Sequence, residues 1–598
     1  MPYFALLDDA QTNHATYYSD YVRSDFITAQ QLHRLDDLLQ QGWQNQLHVV
    51  MTIDYEWGLP LMQLPSPQTG YLALHWFAQQ HPIANTHQWL QQHASQQISG
   101  ISTPQANTQE ADYLAHIQRI QHAIAQGDCY QINYTIRLHL QAYGDPIRLY
   151  QRLRQPVPYA VLAHLPNAQQ TDRWTLCFSP ELFLKISPQG VLTTEPMKGT
   201  APILNDGQNE TRAQTLQNDP KNRAENVMIV DLLRNDLGKI AQIGGVHVPE
   251  PFKVSRFGSV WQMTSRIEAH ALPHTRMTDI LRAAFPCGSI TGAPKRMSMH
   301  LINDLESEPR DIYTGSIGYL NPCSQGLGFE GVLNVVIRTL QLTPQADGSY
   351  QGVYGVGSGI VTDSVPQDEY HECAWKARFL QHLPAECSVF ETMRVVQHTC
   401  DLLPLHLARL QQSANALNLP FTQHDVTLIQ HYLQQLPSTQ AYRVKAELHP
   451  TQGLQLSHMP LQPLSDTVYV LLSHQRLPQQ DYLRRFKTNQ RHIFDAAWQH
   501  AEQYGAFDGL LFNENDVLLE GGRSNVFVRF GQHWHTPALD LDILNGVMRQ
   551  AILANPQDYL NTPTVFESHI SRTQLQQADE IWISNALRGL LKVTPISS

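Results

Sequence analysis

The sequence predicts a mixed α/β (α+β) protein with more than one domain, and three observations support this fold class. The chain has 598 residues, too many for a single hydrophobic core. Apolar residues spaced by three and four, typical of helices, occur alongside alternating apolar runs that are typical of strands. After residues 379–384 a new strand and helix pattern begins. We therefore expect a first domain over residues 1–382 and a second over residues 387–598.

The composition narrows the class of protein. Hydrophobic residues make up 42% of the chain and charged residues 16%, which is ordinary for a folded soluble protein. The net charge of −12 gives no reason to expect nucleic acid as a partner, and no apolar run approaches the length of a membrane span. The first nine residues lack the positive segment of a secretory signal. Seven cysteines without a CxxC pair favour a reducing cytoplasm over a disulfide framework or a zinc site.

A helix followed by several strands is predicted in the first domain. The helix begins near Thr108, and Gly127 is expected to end it. An apolar alternation over residues 130–140 then predicts a strand. Further strands are expected over residues 159–163, 175–178, 183–186 and 191–194.

Lys198 follows these strands in the segment Pro-Met-Lys-Gly-Thr. Proline fixes the backbone on one side of the lysine, and glycine frees it on the other. A lysine that is held at a strand end and removed from water loses its charge readily and can act as a nucleophile. The pattern is also typical of a surface lysine that lies along apolar surface.

Two predicted helix entrances carry polar residues. A helix over residues 224–237 places Glu225 in its first turn, where the helix dipole favours a carboxylate. Residues 285–295 combine glycines, hydroxyls and Lys295 before a helix over residues 296–305, an arrangement that can bind an anion. Taken alone, the two patterns are equally typical of a helix-capping acid and of a plain turn.

An antiparallel sheet and a helix are predicted at the end of the first domain. The strands are expected over residues 313–319, 332–339 and 352–362. Glycines alternate through the third strand, which indicates that another group approaches its backbone closely. A helix from about residue 366 places Glu369 and Glu372 on one face, either as ligands of a hard cation or as solvated charges.

Four long motifs in this order resemble the chorismate-utilising enzymes, a family that includes anthranilate synthase, isochorismate synthase and aminodeoxychorismate synthase component I. The motifs are PMKGT, AENVMIVDLLRND, CGSITGAPK and DEYHECAWKA. The resemblance is strong over about residues 110–380 and looser before them. It implies a sandwich of antiparallel sheets with flanking helices and an active site between the sheets.

The same resemblance implies roles for individual residues. Glu225 and Glu372 would bind Mg²⁺, a hard ion that prefers oxygen ligands. The residues implied to bind chorismate are Ser289, Thr291, Tyr313, Arg338, Gly357 and Gly359.

Three positions bear on the reaction within this family. Lys198 is usually alanine in anthranilate synthases, whereas in aminodeoxychorismate synthase it is a lysine that attacks chorismate at C2 as the 4-hydroxyl leaves. Glu181 matches the acid that would protonate this hydroxyl. Gln262 stands where anthranilate synthases carry a histidine, and glutamine cannot shuttle a proton. Ammonia would be free or come from a separate glutamine amidotransferase subunit, because no glutaminase motif is visible.

The second domain begins with a predicted strand over residues 389–395 and a helix with Pro404 in its first turn. Six motifs, FETMRV, HLARLQQSA, FKTNQR, LEGGRSNVFV, LNGVMR and SNALRGLLKV, resemble the fold type IV pyridoxal-phosphate enzymes, most closely the aminodeoxychorismate lyases. By this resemblance Lys487 forms the Schiff base with pyridoxal 5′-phosphate, and Glu520 pairs with the pyridinium nitrogen. The implied phosphate-binding residues are Arg409, Gly546, Val547, Met548, Ser584 and Asn585. Two departures are a short N-terminal hairpin and Phe494, at a position that is often tyrosine.

Together the resemblances predict an enzyme of p-aminobenzoate synthesis. The first domain would aminate chorismate to 4-amino-4-deoxychorismate, and the second would release pyruvate to leave p-aminobenzoate. One alternative is a second domain that acts as an aminotransferase or as a non-catalytic binding module. Another is anthranilate synthase, which Lys198 argues against.

Overall fold

The computed structural model describes residues 2–257, 260–464 and 467–596. The strands of the first domain are Phe4–Asp9 (β1), His14–Ile27 (β2), His48–Ile53 (β3), Leu72–Ile83 (β4), Gly100–Ile101 (β5), Gln105–Ala106 (β6), Gln131–Tyr143 (β7), Tyr159–Pro166 (β8), Asp172–Ser179 (β9), Leu182–Ile186 (β10), Val191–Glu195 (β11), Met197–Pro202 (β12), Ala241–Phe257 (β13), Val260–Ala271 (β14), Gly292–Ala293 (β15), Ser316–Pro322 (β16), Phe329–Asn334 (β17), Thr339–Pro344 (β18) and Tyr350–Ile360 (β19). Its helices are Leu35–Gln44 (α1), Gly58–Leu61 (α2), Thr86–His93 (α3), Glu110–Gln126 (α4), Pro146–Leu153 (α5), Asn209–Asn218 (α6), Pro220–Gly238 (α7), Met277–Ala284 (α8), Lys295–Leu305 (α9) and Pro366–Gln381 (α10).

All the strands of the first domain belong to one sheet, and its pairings are antiparallel. A continuous path of neighbours runs β14-β11-β10-β17-β16-β3-β4-β2-β1-β8-β9-β18-β19-β7. β12 and β13 pair with β14, and β5, β6 and β15 pair with β7. Such a long twisted sheet must curl, so that its two faces pack in separate cores.

Side chains of alternate strand residues pack in one or the other of these two cores. In β3, Val49 and Met51 pack in the large cluster that includes residues of α1, α4 and α8, whereas Val50 packs on the opposite face. In β8, Leu162 joins the large cluster, and Val161 joins Val50. This is the period-two alternation expected of a strand that is buried on both faces.

The helix and strand predictions hold for most elements. α4 buries a face of apolar residues and ends at Gly127, whose φ of 84° is the left-handed cap conformation. Tyr130 is 66% exposed and lies outside β7, so the predicted alternation begins one residue too early. β16 begins at Ser316, so Tyr313 precedes the strand. The single run predicted over residues 332–339 is wrong, because residues 335–338 connect two strands.

The start of α7 was also predicted wrongly. Asp219 caps the helix by accepting a hydrogen bond from the backbone N–H of Asn222, and Pro220 follows in the first turn. Glu225 therefore lies in the second turn, beyond the strongest part of the helix dipole. Val227, an apolar residue of this helix, is 44% exposed. The polar Asn226 is buried in its place, and its Oδ1 accepts from the Ser265 hydroxyl at 2.6 Å.

The second domain has two sheets. Its strands are Val389–Val395 (β20), Tyr442–His449 (β21), Gly453–Pro460 (β22), Tyr469–Leu477 (β23), Asp508–Asn513 (β24), Leu518–Gly521 (β25), Asn525–Phe530 (β26), His533–Pro537 (β27), Val565–Ser568 (β28), Glu580–Asn585 (β29) and Gly589–Ile596 (β30). Its helices are Leu403–Ala416 (α11), Gln423–Gln434 (α12), His492–Gln503 (α13), Val547–Ala554 (α14), Pro556–Leu560 (α15) and Arg572–Gln576 (α16). β20, β21 and β22 form an antiparallel sheet, and a mixed sheet has the order β25-β24-β23-β30-β29-β26-β27-β28.

The two domains contact each other through polar and aromatic pairs. The rings of Tyr143 and Tyr482 are stacked with their centroids 5.5 Å apart, and the Tyr482 hydroxyl donates to Gln141 at 3.0 Å. Arg485 pairs with Asp347 of the first domain at 3.0 Å. Across the described parts of the chain, the helices are all too short or too polar to cross a lipid bilayer.

Candidate active sites

Lys198 lies at an irregular point of the sheet. The pairing of β12 with β14 shifts register between Met197 and Thr200, and such bulges redirect a side chain. Gly199 has a φ of 80°, which a residue with a Cβ rarely adopts. Burial lowers the pKa of Lys198, although Glu225 and Glu181 favour its charged form. The amine is therefore neutral more often than a surface lysine would be.

Glu181 follows β9, and the pKa of its carboxyl is shifted in the direction opposite to that of Lys198. It is buried, and burial raises the pKa of its carboxyl, while Ser289 as a hydrogen-bond partner and Lys198 as a charge oppose the shift. Its Oε1 has no hydrogen-bond partner among the described residues. A carboxylic acid that keeps its proton and has a free oxygen can donate to a bound ligand.

Gly359 provides the space in which Lys198 lies. A Cβ at Gly359 would be 3.2 Å from Nζ of Lys198 and 2.4 Å from Nε2 of Gln131. Gln131 is completely buried, and within the described part of the chain neither polar atom of its side chain has a partner. We did not identify Gln131 from the sequence. The available signal was a glutamine at the start of an apolar strand, where an unpaired amide is costly.

Tyr313 and Arg338 lie in connections beside the glycine-rich strand β19. The Tyr313 ring packs on Gly355, where a Cβ would be 2.3 Å from the ring, and Arg137 lies 5.3 Å from the ring centroid. Arg338 has a φ of 51°, and its guanidinium forms no hydrogen bond or ion pair with the residues that the structure describes. Burial lowers the pKa of Arg338, whereas the charge of Glu181 raises it. The guanidinium is free to bind a carboxylate.

The segment between α8 and α9 forms a tight turn. Ser289 lies in its short helical turn, Gly288–Ile290. The Thr291 hydroxyl is directed back into the turn and lies 3.2 Å from the carbonyl oxygens of both Cys287 and Gly288. Thr291 therefore fixes the shape of the turn in this structure.

Lys295 does not serve this turn as an anion ligand, contrary to the sequence interpretation. Its Nζ is buried and pairs with Asp236 of α7 at 2.6 Å, and it donates to the carbonyl of Ala284 at 3.0 Å. This ion pair fastens α9 to α7, because breaking one side of it would leave a buried charge.

Glu225 of α7 and Glu372 of α10 offer oxygen ligands and are close enough for their charges to interact. Burial raises the pKa of Glu225, and the negative charges of Glu369 and Glu372 raise it further, against Lys198. Glu372 pairs with Lys376 at 2.8 Å. In residues 2–257, 260–464 and 467–596, no group of three or more His, Cys, Asp or Glu side chains has the geometry of a metal site. Two carboxylates nevertheless fit Mg²⁺, which commonly takes one or two together with water and substrate oxygens.

A buried ion network that the sequence did not reveal contacts the tight turn. Glu306 binds Arg310 at 2.6 Å and Arg137 at 3.2 Å, and all three side chains are buried. Arg310 also donates to the carbonyls of Ile290 and Asn133 at 3.0 and 2.7 Å. The network thereby joins the tight turn to strand β7.

A separate cavity of about 670 Å³ lies in the second domain. This volume is within the range of sites that bind cofactors and small molecules. The lining includes every residue implied to bind pyridoxal phosphate: Arg409, Lys487, Glu520, Gly546, Val547, Met548, Ser584 and Asn585. Residues that are far apart in sequence therefore meet on one surface.

Lys487, which is partly buried, and Glu520, which is buried, both lie on this surface. Burial lowers the pKa of Lys487 to about 7, with help from the positive charges of Arg491 and Arg409. Burial raises the pKa of Glu520 to about 7, and a hydrogen bond from the backbone N–H of Leu544 at 3.1 Å opposes the shift. Both groups can therefore exchange protons near neutral pH.

The start of α14 forms a cradle beside these residues. Gly546 precedes the helix, and a Cβ there would be 2.0 Å from Oδ1 of Asn525. The first N–H groups of a helix have no partner within it and favour an anion. The Ser584 hydroxyl is buried without a partner among the described residues. A free hydroxyl and a helix start fit the phosphate of pyridoxal phosphate.

Arg409 lines the cavity, whereas Phe494 does not. The Arg409 guanidinium binds Glu391 through two hydrogen bonds of 2.7 and 2.6 Å, so an internal carboxylate already holds it at the cavity wall. Phe494 does not line the cavity and packs in an apolar cluster instead. Arg491 lies at the wall, 5.0 Å from the Phe494 ring centroid.

Comparison with known families agrees with both halves of the structure. Residues 11–382 match the family model of chorismate binding enzymes, and residues 388–596 match that of the class IV amino-transferases. Because the first match covers more than half of the chain, the protein belongs to the chorismate binding enzyme family. The predicted fold class, a chorismate-binding domain followed by a fold type IV aminotransferase-like domain, is confirmed.

Individual relatives agree with this family. The chain is 39% identical over 281 residues to aminodeoxychorismate synthase component 1 of Salmonella typhimurium, covering 46% of this chain and 58% of the relative. It is 37% identical over 284 residues to anthranilate synthase component 1 of Synechocystis, covering 46% and 54%. The chain thus spans less than two thirds of each relative. The structure of a 2,3-dihydroxybenzoate-specific isochorismate synthase from Bacillus anthracis shares the fold, with a TM-score of 0.52 and 16% identity over 64% of this chain and 95% of that one.

Proposed function

We propose that the chain is a bifunctional enzyme of p-aminobenzoate synthesis. The first domain aminates chorismate to 4-amino-4-deoxychorismate, and the second eliminates pyruvate to leave p-aminobenzoate. We place the domains at residues 1–382 and 387–598, and the two family matches, over residues 11–382 and 388–596, support this division. Ammonia is supplied free or by a glutamine amidotransferase subunit, in the cytoplasm.

The opposite pKa shifts of Lys198 and Glu181 are the observation that carries the first activity. The neutral amine of Lys198 forms a bond to C2 of chorismate, both ring double bonds shift, and the C4–O bond breaks. Glu181 gives its proton to the departing hydroxyl, which leaves as water. Ammonia then bonds to C4, both double bonds shift back, and the C2–N bond breaks to release Lys198. Ammonia gives up a proton in this step, which returns Glu181 to its acid form.

The residues around Lys198 and Glu181 would orient the substrate. The unpaired Arg338 guanidinium would hold one carboxylate of chorismate in a bidentate contact. Glu225 and Glu372 would hold Mg²⁺, which supplies positive charge for a second carboxylate. The remaining residues proposed to bind chorismate are Ser289, Thr291, Tyr313, Gly357 and Gly359.

In the second domain we assign proton transfer to Lys487. Pyridoxal phosphate supplies an electron sink when bound. Lys487 holds and releases a proton near neutral pH because burial lowers its pKa to about 7. Glu520 would pair with the ring nitrogen of the cofactor. The N–H groups of Val547 and Met548 and the Ser584 hydroxyl bind the phosphate.

Product analysis tests both assignments. The purified chain is incubated with chorismate, ammonium, Mg²⁺ and pyridoxal phosphate, and p-aminobenzoate is followed by chromatography. We expect Lys198→Ala to abolish all amination, and Lys487→Ala to leave 4-amino-4-deoxychorismate to accumulate. Arg119→Gln, on the exposed face of α4, is the matched control.

Other products would identify a different enzyme. Anthranilate would refute the role of Lys198. The match to the class IV amino-transferases makes an aminotransferase the second candidate for the second domain. Amino transfer to a keto acid without pyruvate release from 4-amino-4-deoxychorismate would establish it.

A further inference from the structure

The cavity of the second domain carries more positive charge than its own carboxylates balance. Seven cationic side chains line it, namely Arg409, Arg443, Lys445, Lys487, Arg491, Arg523 and Arg588, against the two carboxylates Asp495 and Glu520. A surplus of cations in a partly enclosed site attracts anions strongly.

The surplus is concentrated in two arginines. Three of the cations have carboxylate partners outside the lining, in the pairs Arg409–Glu391 at 2.6 Å, Lys445–Glu447 at 2.5 Å and Arg523–Glu502 at 3.2 Å. The Arg443 guanidinium forms no hydrogen bond or ion pair with any described residue. The Arg588 guanidinium donates to the carbonyl of Gln462 at 2.5 Å and has no carboxylate partner in the described ranges.

The register of the small sheet adds a third arginine at the same end. Arg394 of β20 lies directly opposite Arg443 of β21. Arg394 shares a face of β20 with Phe390 and Thr392, which line the cavity. Arg394 likewise has no acidic partner among the described residues, and like charges directly opposite each other destabilise a sheet.

Arg588 faces the same cluster from another strand pair. Burial lowers the pKa of Arg588, and the positive charges of Arg523 and Arg394 lower it further. Three arginines from β20, β21 and the turn after β29 therefore meet without a carboxylate. This arrangement costs stability in the empty protein, and a bound anion would relieve the cost.

We propose that Arg394, Arg443 and Arg588 form a carboxylate-binding subsite at the wall of the cavity. The subsite selects amine substrates with a carboxylate at the end of the molecule opposite the reacting amino group. Lys487 lines the same cavity as Arg443 and Arg588, so one bound molecule can contact the lysine and the arginines. The specific substrate rests on the proposed function: in 4-amino-4-deoxychorismate the C4 amino group and the C1 carboxylate lie at opposite ends of the ring.

Binding of inert probes tests the subsite. The full chain, loaded with pyridoxal phosphate, is titrated calorimetrically with benzene-1,3-dicarboxylate, benzoate and neutral benzamide. We expect the dicarboxylate to bind most tightly and benzamide least. Arg443→Gln should weaken dicarboxylate binding by about tenfold to a hundredfold, the loss expected for a charge-assisted pair. Arg443→Lys should lose less, and Arg119→Gln should bind like the unmodified chain.

Two results would overturn the subsite. One is equal affinity for benzamide and the dicarboxylate, and the other is unchanged dicarboxylate affinity in Arg394→Gln, Arg443→Gln and Arg588→Gln. Failure of the proposed function is seen separately, because it is measured as pyruvate release from 4-amino-4-deoxychorismate. Weakened probe binding without pyruvate release would keep the subsite and reject the lyase.

Discussion

Replacing Gly546 by alanine tests the assignment of the phosphate cradle most directly. The φ of Gly546 is −59°, which any residue can adopt, so only space is at issue. The added methyl would lie 2.0 Å from Oδ1 of Asn525. Asn525 cannot easily move, because it is buried and its Nδ2 donates to the carbonyl of Leu544 at 2.8 Å.

The magnitude follows from these contacts. Forcing a methyl into a packed site costs about 1–3 kcal/mol, and a displaced Asn525 that loses its buried hydrogen bond costs about 1–3 kcal/mol more. Part of this cost appears as lower stability. The rest appears as a displaced helix start, which we expect to weaken pyridoxal phosphate binding by about tenfold to a hundredfold.

The assay is a titration of the protein with pyridoxal phosphate, followed by the absorbance of the bound cofactor, with thermal unfolding measured in parallel. Gly238→Ala is the matched control, because a Cβ there meets nothing within 4 Å. Combining Gly546→Ala with Asn525→Ala removes the clashing oxygen and should recover part of the affinity. Unchanged affinity in Gly546→Ala would refute the cradle.

Three further changes test other parts of the structure. Lys295→Met removes the buried partner of Asp236 and should lower the free energy of unfolding in urea by about 3 kcal/mol, since Lys239 still contacts the carboxylate; a loss below about 1 kcal/mol would contradict this. Gly359→Ala should displace the reactive Lys198 and lower amination of chorismate at least about tenfold. Formation of p-aminobenzoate from added 4-amino-4-deoxychorismate should continue. Normal amination would refute the close approach of Lys198 to Gly359. Glu520 has a pKa of about 7 when folded and 4.5 in the unfolded chain, so it holds a proton in the folded state between these values. Its stabilising contribution is present below pH 4.5 and is lost as the pH rises towards 7, by up to about 3 kcal/mol. Glu520→Gln should remove this slope from urea unfolding of the cofactor-free protein, and an unchanged slope would contradict the shift.

Local spacing in the sequence predicted the elements whose apolar residues repeat cleanly. β20 has the predicted bounds, residues 389–395, and Gly127 ends its helix as expected. The rule failed in α7 because a polar residue, Asn226, occupies the buried face, where its Oδ1 accepts from the Ser265 hydroxyl and its amide nitrogen has no partner among the described residues. A pattern of hydrophobicity cannot reveal such a position, because the hydrogen-bond partner that lowers the free-energy cost of burying the residue lies elsewhere in the sequence.

The candidate sites depended on resemblance more than on spacing. Lys487 and Ser584 are separated by nearly a hundred residues and line one cavity, which no periodicity could predict. Gln131 and Glu306 were missed for a related reason. A lone polar residue in an apolar segment is ambiguous until the fold supplies its neighbours, here Lys198 for the first and Arg310 for the second.

The two sites share the same pattern of pKa shifts. In each, burial lowers the pKa of a lysine and raises that of a carboxyl, as for Lys198 with Glu181 and Lys487 with Glu520. Such pairs weaken the fold, because each group loses hydration without an ideal ion pair in return. The surrounding structure must therefore be held by other contacts. The buried network of Glu306, whose carboxylate is paired with both Arg310 and Arg137, supplies such contacts in the first domain.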